Sequence, residues 1–235
     1  MTTAAILQPH YLPYSGFFKL VRESDIFIFF DNVQFEARSW QNRNKIKTPE
    51  GFKWLTVPVV KSFGQLIKDI KINNSLDWQQ KHWKAIVCSY SKAPFFKDYK
   101  DFFEEVYSRK WDLLVDLNIY IIQYLAKELG LKTKFIKASE LDVSGKRSEL
   151  LANICKKVKA DKYYSNIGSK DYMDKEMHFF DDAGIKVSYL EYSHPIYPQL
   201  FGEFISHLSV IDVLFNNGKK TREIILGEKD GKTSN

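Results

Sequence analysis

Cysteine is nearly absent: the 235-residue chain has two, Cys88 and Cys155. Two thiols so far apart exclude a disulfide framework and predict reduced, buried side chains. The N-terminus has no charged segment leading into a long apolar one, so no secretory signal is expected and the predicted location is cytoplasmic. No apolar run approaches the ~20 residues that a membrane-spanning helix needs. Histidine is sparse as well. The five, at positions 10, 82, 178, 194 and 207, form no His-x-x-x-His pair, and the cysteines form no Cys-x-x-Cys, so no metal site is expected. Gly-x-Ser-x-Gly and Gly-x-Gly-x-x-Gly are both missing, which excludes the hydrolase nucleophile elbow and the nicotinamide fingerprint. No stretch rich in proline, glycine or serine divides the chain, so no interdomain linker is predicted.

What is present is the composition of a soluble globular protein of mild charge, with enough apolar material for a core. Hydrophobic residues make up 44%, aromatic residues 15%, and the net charge is +6. That charge suits an anionic ligand, a nucleic acid or an acidic membrane surface and does not choose among them. Short β-branched or apolar runs bounded by turn residues predict strands over Ala4–Leu7, Ile26–Phe30, Trp54–Val60, Thr133–Lys137, Lys162–Ser165 and Lys186–Glu191. Helical spacing of apolar residues predicts helices over Gly16–Glu23, Trp78–Tyr90, Lys97–Ser108, Leu113–Leu129, Arg147–Val158, Asp171–Ala183 and Phe204–Phe215. Strands and helices alternate at both ends, with three helices in a row between them. The expected fold is α/β and Rossmann-like: a mostly parallel sheet, helices on both faces and a helical insertion over about 77–129. One domain, 1–226, and a polar disordered tail, 227–235, are expected.

In such a sheet, ligands sit beyond the carboxyl ends of the strands. The run Gln8-Pro9-His10-Tyr11-Leu12-Pro13-Tyr14-Ser15-Gly16 leaves the first strand and enters a helix, whose N-terminus would favour an anion. Gln8 can orient a ligand by its amide, His10 can exchange a proton near neutral pH, and Gly16 permits close approach. The next run, Asp31 to Lys47, follows the second strand and is dense in ligand-binding types. Gln34, Asn42 and Asn44 supply hydrogen bonds, Arg38 and Arg43 bidentate cations, and Trp40 a stacking surface. Its interleaved aromatic and basic residues also fit a nucleic-acid patch or a merely solvated loop. Lys146 and Arg147, between Gly145 and Ser148, offer another anion site or plain helix capping. Ser165, Gly168 and Tyr172 repeat the strand–loop–helix logic of the first run, and His194 and His207 are later candidates, His207 as a base.

The chain resembles the WbqC-like family. The resemblance rests on Gln8 to Gly16, Asp25 to Phe35, Arg38 to Ile46, Trp54 to Pro58, Tyr164-Ser165 with Gly168 and Tyr172, His194 to Gln199, and Leu208 to Asn216, and so covers nearly the whole chain. It implies bacterial surface-polysaccharide synthesis, with O-antigen or capsule precursors as the context. The first loop is also remotely similar to pantothenate-synthetase-type enzymes, which grip ATP through a His-x-Gly-His signature. Here Phe17 stands after Gly16 and the second histidine is missing.

The expected function is that of a transferase or ligase acting on a nucleotide-linked sugar or related anionic metabolite, with acyl or aminoacyl transfer as one form. No cofactor is fixed, and ATP with Mg is the candidate. In this reading Arg38, Arg43 and Lys146 hold phosphate or carboxylate, and Trp40 and Tyr11 stack on a ring. His10 is the acid or base, Asp31 orients it or holds a cation or sugar hydroxyl, and His207 is the alternative base. Two other classes stay open. One is a non-catalytic protein that binds a glycan precursor or associates with glycan-synthesis enzymes. The other, less expected, is a nucleic-acid-binding protein.

Overall fold

The computed structural model describes residues 1–227, so the expected disordered tail lies, apart from Gly227, outside the described residues. Five strands form a parallel sheet: β1 (Thr3–Leu7), β2 (Ile26–Phe29), β7 (Lys134–Lys137), β8 (Lys162–Asn166) and β9 (Lys186–Leu190). Their spatial order is β7-β2-β1-β8-β9, so the first strand is central and the order reverses between β1 and β8. Alternation along the strands separates two cores. Ala5, Phe27 and Phe29 face one side and pack with Phe17, Leu20 and Val21 of α1 (Ser15–Arg22). Ala4, Ile6 and Ile28 face the other and pack with Leu150, Leu151 and Ile154 of α5 (Arg147–Lys157). Side chains that alternate with period two require covers on both faces, and each fully buried phenylalanine or isoleucine contributes roughly 1.5–3 kcal/mol.

Between β2 and β7 the chain makes two hairpins and the helical insertion. The first hairpin is β3 (Arg43–Thr48) with β4 (Gly51–Thr56), and the second is β5 (Val59–Val60) with β6 (Lys71–Ile72). The insertion is α2 (Trp78–Tyr90), α3 (Phe96–Ser108) and α4 (Leu114–Glu128). Phe215 of α8 (Val210–Asn217) enters its aromatic core, within 5.2–5.4 Å of the rings of Tyr90, Phe96 and Phe103. A last helix, α9 (Thr221–Leu226), packs on α1.

Several sequence expectations need correction. The end of the expected ligand-binding stretch, from Arg43 to Lys47, lies in strand β3: Asn44 and Ile46 point inward while Lys45 points out over aromatic rings. The expected strand Trp54–Val60 is broken into β4 and β5 around Pro58, which has no N–H for a ladder. The helix expected over Asp171–Ala183 is divided into α6 (Lys170–Met173), a 3-10 turn and α7 (His178–Asp181). The helix expected from Phe204 begins at Val210, because Ser209 caps it and His207 adopts a left-handed φ of 57°. Cys88 is exposed rather than buried, whereas Cys155 is buried and its thiol is pushed up to about 12.

Candidate active site

The sheet opens at its carboxyl edge. β1 runs to Leu7 and β8 to Asn166, yet they pair only through Thr3–Lys162 and Ala4–Tyr163. Beyond those pairs the central strands part. This is the switch point at which sheets of this order bind ligands. Since all five strands are parallel, the segments after Leu7, Phe29, Lys137, Asn166 and Leu190 share that edge.

A hydrogen-bond chain crosses it. The Tyr192 hydroxyl donates to Ser15 Oγ at 2.7 Å, and Ser15 Oγ lies 3.4 Å from His194 Nε2. His194 Nδ1 lies 2.9 Å from the Pro195 carbonyl oxygen. A carbonyl can only accept, so the proton belongs on Nδ1, and Nε2 carries the free lone pair. Burial lowers the His194 pKa from the usual histidine value; the hydrogen bond to the Pro195 carbonyl partly opposes this and the neighbouring His207 adds to it, and the net shift favours the neutral ring. His207 lies 4.9 Å from His194, ring to ring, and stacks on Tyr14 at 6.2 Å. Tyr14 folds back over α1, and a Cβ at Gly16 would sit 2.5 Å from its ring, so glycine is required there. Sequence reasoning passed over Ser15 and Tyr192. The signals were a serine at the first position of the helix after the first strand and a Tyr-x-His just past the last strand.

The first loop and the Arg38–Lys47 stretch come together. Tyr11 N donates to the Trp40 carbonyl at 2.9 Å, and Asn44 Nδ2 to the Leu12 carbonyl at 2.6 Å. Buried Asn118 of α4 donates through Nδ2 to both the Pro9 carbonyl (3.0 Å) and the Gln41 carbonyl (2.8 Å). His10 is thereby fixed between two anchored residues. Its ring touches Phe17 at 5.4 Å, has no hydrogen-bond partner among the described residues, and is pushed down to about 4 by burial. Gln8, half-buried on the same edge, also has no side-chain partner among the described residues.

Other candidates sit in structural roles. Tyr11, expected to stack on a ligand, is fully buried. Its hydroxyl lies 2.9 Å from His82 Nδ1 and 2.6 Å from the Tyr107 hydroxyl, so no ring face is available. Asp31 is buried and accepts from the Ser139 amide (2.9 Å) and hydroxyl (2.6 Å), which fixes the turn after β7 rather than orienting His10. Asn42 accepts from Arg38 N at 3.1 Å and donates to the Val57 carbonyl at 3.0 Å. Arg38 itself is exposed with φ 59°, and Gln34 is exposed beside Leu66. Ser165 is buried and bonded to Ser169 Oγ at 2.7 Å, while Gly168 is exposed in the turn after β8. The anion site expected at Lys146 and Arg147 is filled by the chain itself. Glu176 lies 3.4 Å from the Arg147 guanidinium and accepts from Ser148 N at 3.3 Å, with Tyr172 nearby on the surface. Among the described residues, no group of three or more His, Cys, Asp or Glu could hold a metal ion. An open cavity of about 380 Å³, lined by Ser91, Phe96, Lys97, Lys100 and Asp101, lies on the insertion and not at the sheet edge. No helix among the described residues is long and apolar enough to cross a membrane.

Comparison with known proteins gives a family and one informative relative. The WbqC-like protein family matches residues 8–224. An uncharacterized protein of Mycobacterium tuberculosis (strain ATCC 25618 / H37Rv), Rv1507c, is 33% identical over 229 residues, covering 96% of this chain and 98% of its own length. No solved structure matches.

Proposed function

The chain belongs to the WbqC-like protein family, and on that premise we propose that it is a cytoplasmic transferase or ligase of bacterial surface-polysaccharide synthesis. Its substrate is a nucleotide-linked sugar or related anionic metabolite, and the reaction is acyl or aminoacyl transfer. One observation carries this reading: Ser15, after β1, meets Tyr192 and His194, after β9, with His207 beside them at the carboxyl edge of the sheet. His194 Nε2 takes the proton of an acceptor hydroxyl or amine as that group attacks the acyl carbon. His207, exposed beside it, returns a proton to the departing group. His10 is the alternative acid or base on the same edge. A ligase form of the reaction consumes ATP with Mg.

A second reading, a non-catalytic protein that binds a glycan precursor or assembles its enzymes, is favoured by the exposed rings of Trp40, Phe52 and Trp54. The first test is a thermal-shift panel of nucleotide-sugars, ATP with Mg²⁺, acyl-CoA and short oligonucleotides. A ligand at 100 times its Kd stabilises the native state by about 2.7 kcal/mol. A shift with a nucleotide-sugar, together with turnover that disappears in His194→Gln, supports the enzyme. A shift confined to oligonucleotides overturns it, and nucleotide-sugar binding with no turnover in any acyl-donor mixture supports the binding protein.

A further inference from the structure

The Arg43 guanidinium is unfinished. It begins β3 and lies 4.3 Å above the Trp54 ring, which holds it in place. Its Nε is buried without a hydrogen-bond partner, and the guanidinium makes no ion pair among the described residues. A guanidinium held on a ring with no carboxylate beside it keeps its terminal nitrogens available to an anion. Beside it the Trp40 ring is 41% exposed, 5.8 Å from Trp54 and tilted by 40°. Phe52 closes the other side, perpendicular to Trp54 at 6.4 Å, with Lys45 Nζ 5.0 Å above the Phe52 ring. The cross-strand register places Arg43, Lys45, Lys47, Phe52, Trp54 and Thr56 on one face of the hairpin, with three cations and no carboxylate among them; Lys47 is buried, and its ammonium donates to Gln199 Oε1 and the Glu203 carbonyl. The Trp40 carbonyl accepts from Tyr11 N, which ties this face to the loop that carries His10.

We propose that Arg43, Trp40 and Trp54 form a subsite for an anionic sugar unit. The sugar ring lies on Trp40, and its carboxylate or phosphate accepts from the terminal nitrogens of Arg43. The subsite rests on the reading above, since it takes the sugar of the same substrate. A polynucleotide fits less well, because it needs successive stacked bases along a basic track. Here the three rings meet at 40° and 87°, and of the three cations on the face Lys47 is buried and bonded within the chain, which leaves Arg43 and Lys45.

Isothermal titration of the full chain with glucuronate, glucose 1-phosphate, glucose, AMP and an oligothymidylate tests it. Glucuronate, glucose 1-phosphate or both should bind at least about tenfold more tightly than glucose, and which of the two binds identifies the anion as carboxylate or phosphate. Arg43→Lys keeps a charge but removes the planar guanidinium, and should weaken binding about tenfold, as should Trp40→Ala. Equal binding of glucose, silence toward both anionic sugars, or indifference to Arg43→Lys overturns the subsite. So does tighter binding of AMP or of the oligothymidylate, the latter falling steeply with salt. His194→Gln should bind these sugars like the wild type. Loss of turnover in that variant with sugar binding intact confirms both ideas. Sugar binding without any histidine-dependent turnover sinks the catalytic reading alone, and turnover without sugar binding sinks the subsite alone.

Discussion

His82 and His194 belong to two aromatic clusters that differ in one respect. In the insertion, His82 is 6% exposed, meets the Tyr11 hydroxyl at 2.9 Å and packs against the Trp78 ring at 5.3 Å. At the sheet edge, His194 is half-buried, and its Nε2 meets a serine hydroxyl at a long 3.4 Å. Burial lowers both pKa values, His82 to about 4, so a depressed pKa does not separate chemistry from structure. The difference lies in the lone pair. A ring sealed among tyrosines has no room for a reacting group, whereas His194 is half-buried beside the exposed His207.

The largest expected effect tests that contrast directly. His194→Gln should cost about 10²- to 10⁴-fold in turnover, the range for losing a general base, while the thermal midpoint stays near that of the wild type. His82→Gln should do the reverse, lowering stability and leaving turnover per folded molecule unchanged. Equal losses of turnover in both variants would erase the distinction between the clusters.

Acid stability sharpens it next. A histidine whose folded pKa is depressed takes its proton in the unfolded chain first. Stability from a neutral buried histidine is therefore fully present above about 6.5 and is lost as pH falls toward 4. For His82 alone the shift from 6.5 to about 4 corresponds to about 3 kcal/mol, and His10 acts in the same direction. Asp212 opposes them. Burial raises its pKa from 3.8 to about 6, with Tyr90, Tyr197, Lys47 and Gln199 partly offsetting the shift, so its contribution falls as pH rises through that window. His10, His82 and His194 against Asp212 leave a net loss on acidification. Urea denaturation at pH 7, 6, 5 and 4.5 should show it, and His82→Gln should flatten the curve. An unchanged slope in that variant would mean that His82 is more solvated than its burial implies.

Asn118 connects the two regions, since it reaches from the insertion to the first loop. Asn118→Leu removes two donated hydrogen bonds and strands the Pro9 and Gln41 carbonyls, at a cost of about 2 kcal/mol. Because those carbonyls flank His10 and Trp40, ligand-induced thermal shifts should shrink as well. Lost stability with an undiminished ligand shift would show that the loops keep their places without the clamp.

The sheet was legible because its strands are short, apolar and bounded by turns, and its carboxyl edge followed from their alternation with helices. The Tyr192–Ser15–His194 chain was not, since it joins residues 177 and 179 positions apart. Arg43 could be flagged as a ligand-binding type, but not as an orphaned donor on Trp54, because the register that stacks them depends on the hairpin. Tyr11 and Asp31 were misplaced for a common reason. Composition marks a polar or aromatic group as available, and only packing reveals that Tyr107 and Ser139 have already taken it.

The smallest effect gives the finest comparison, because it changes one oxygen in each cluster. Tyr192→Phe removes the donor to Ser15 Oγ, whose remaining role is to face His194 Nε2. The expected cost is about 1 kcal/mol, read as a severalfold loss of turnover with little change in midpoint, because the Ser15 hydroxyl can turn to another partner. Tyr107→Phe removes the 2.6 Å partner of the Tyr11 hydroxyl inside a sealed core, so its cost should appear in stability and not in turnover. If Tyr192→Phe instead lowers the midpoint as much as Tyr107→Phe and spares turnover, the hydrogen-bond chain at the sheet edge is a strut like the one in the insertion. Catalysis would then have to be sought at His10, whose ring has no protein hydrogen bond to lose among the described residues.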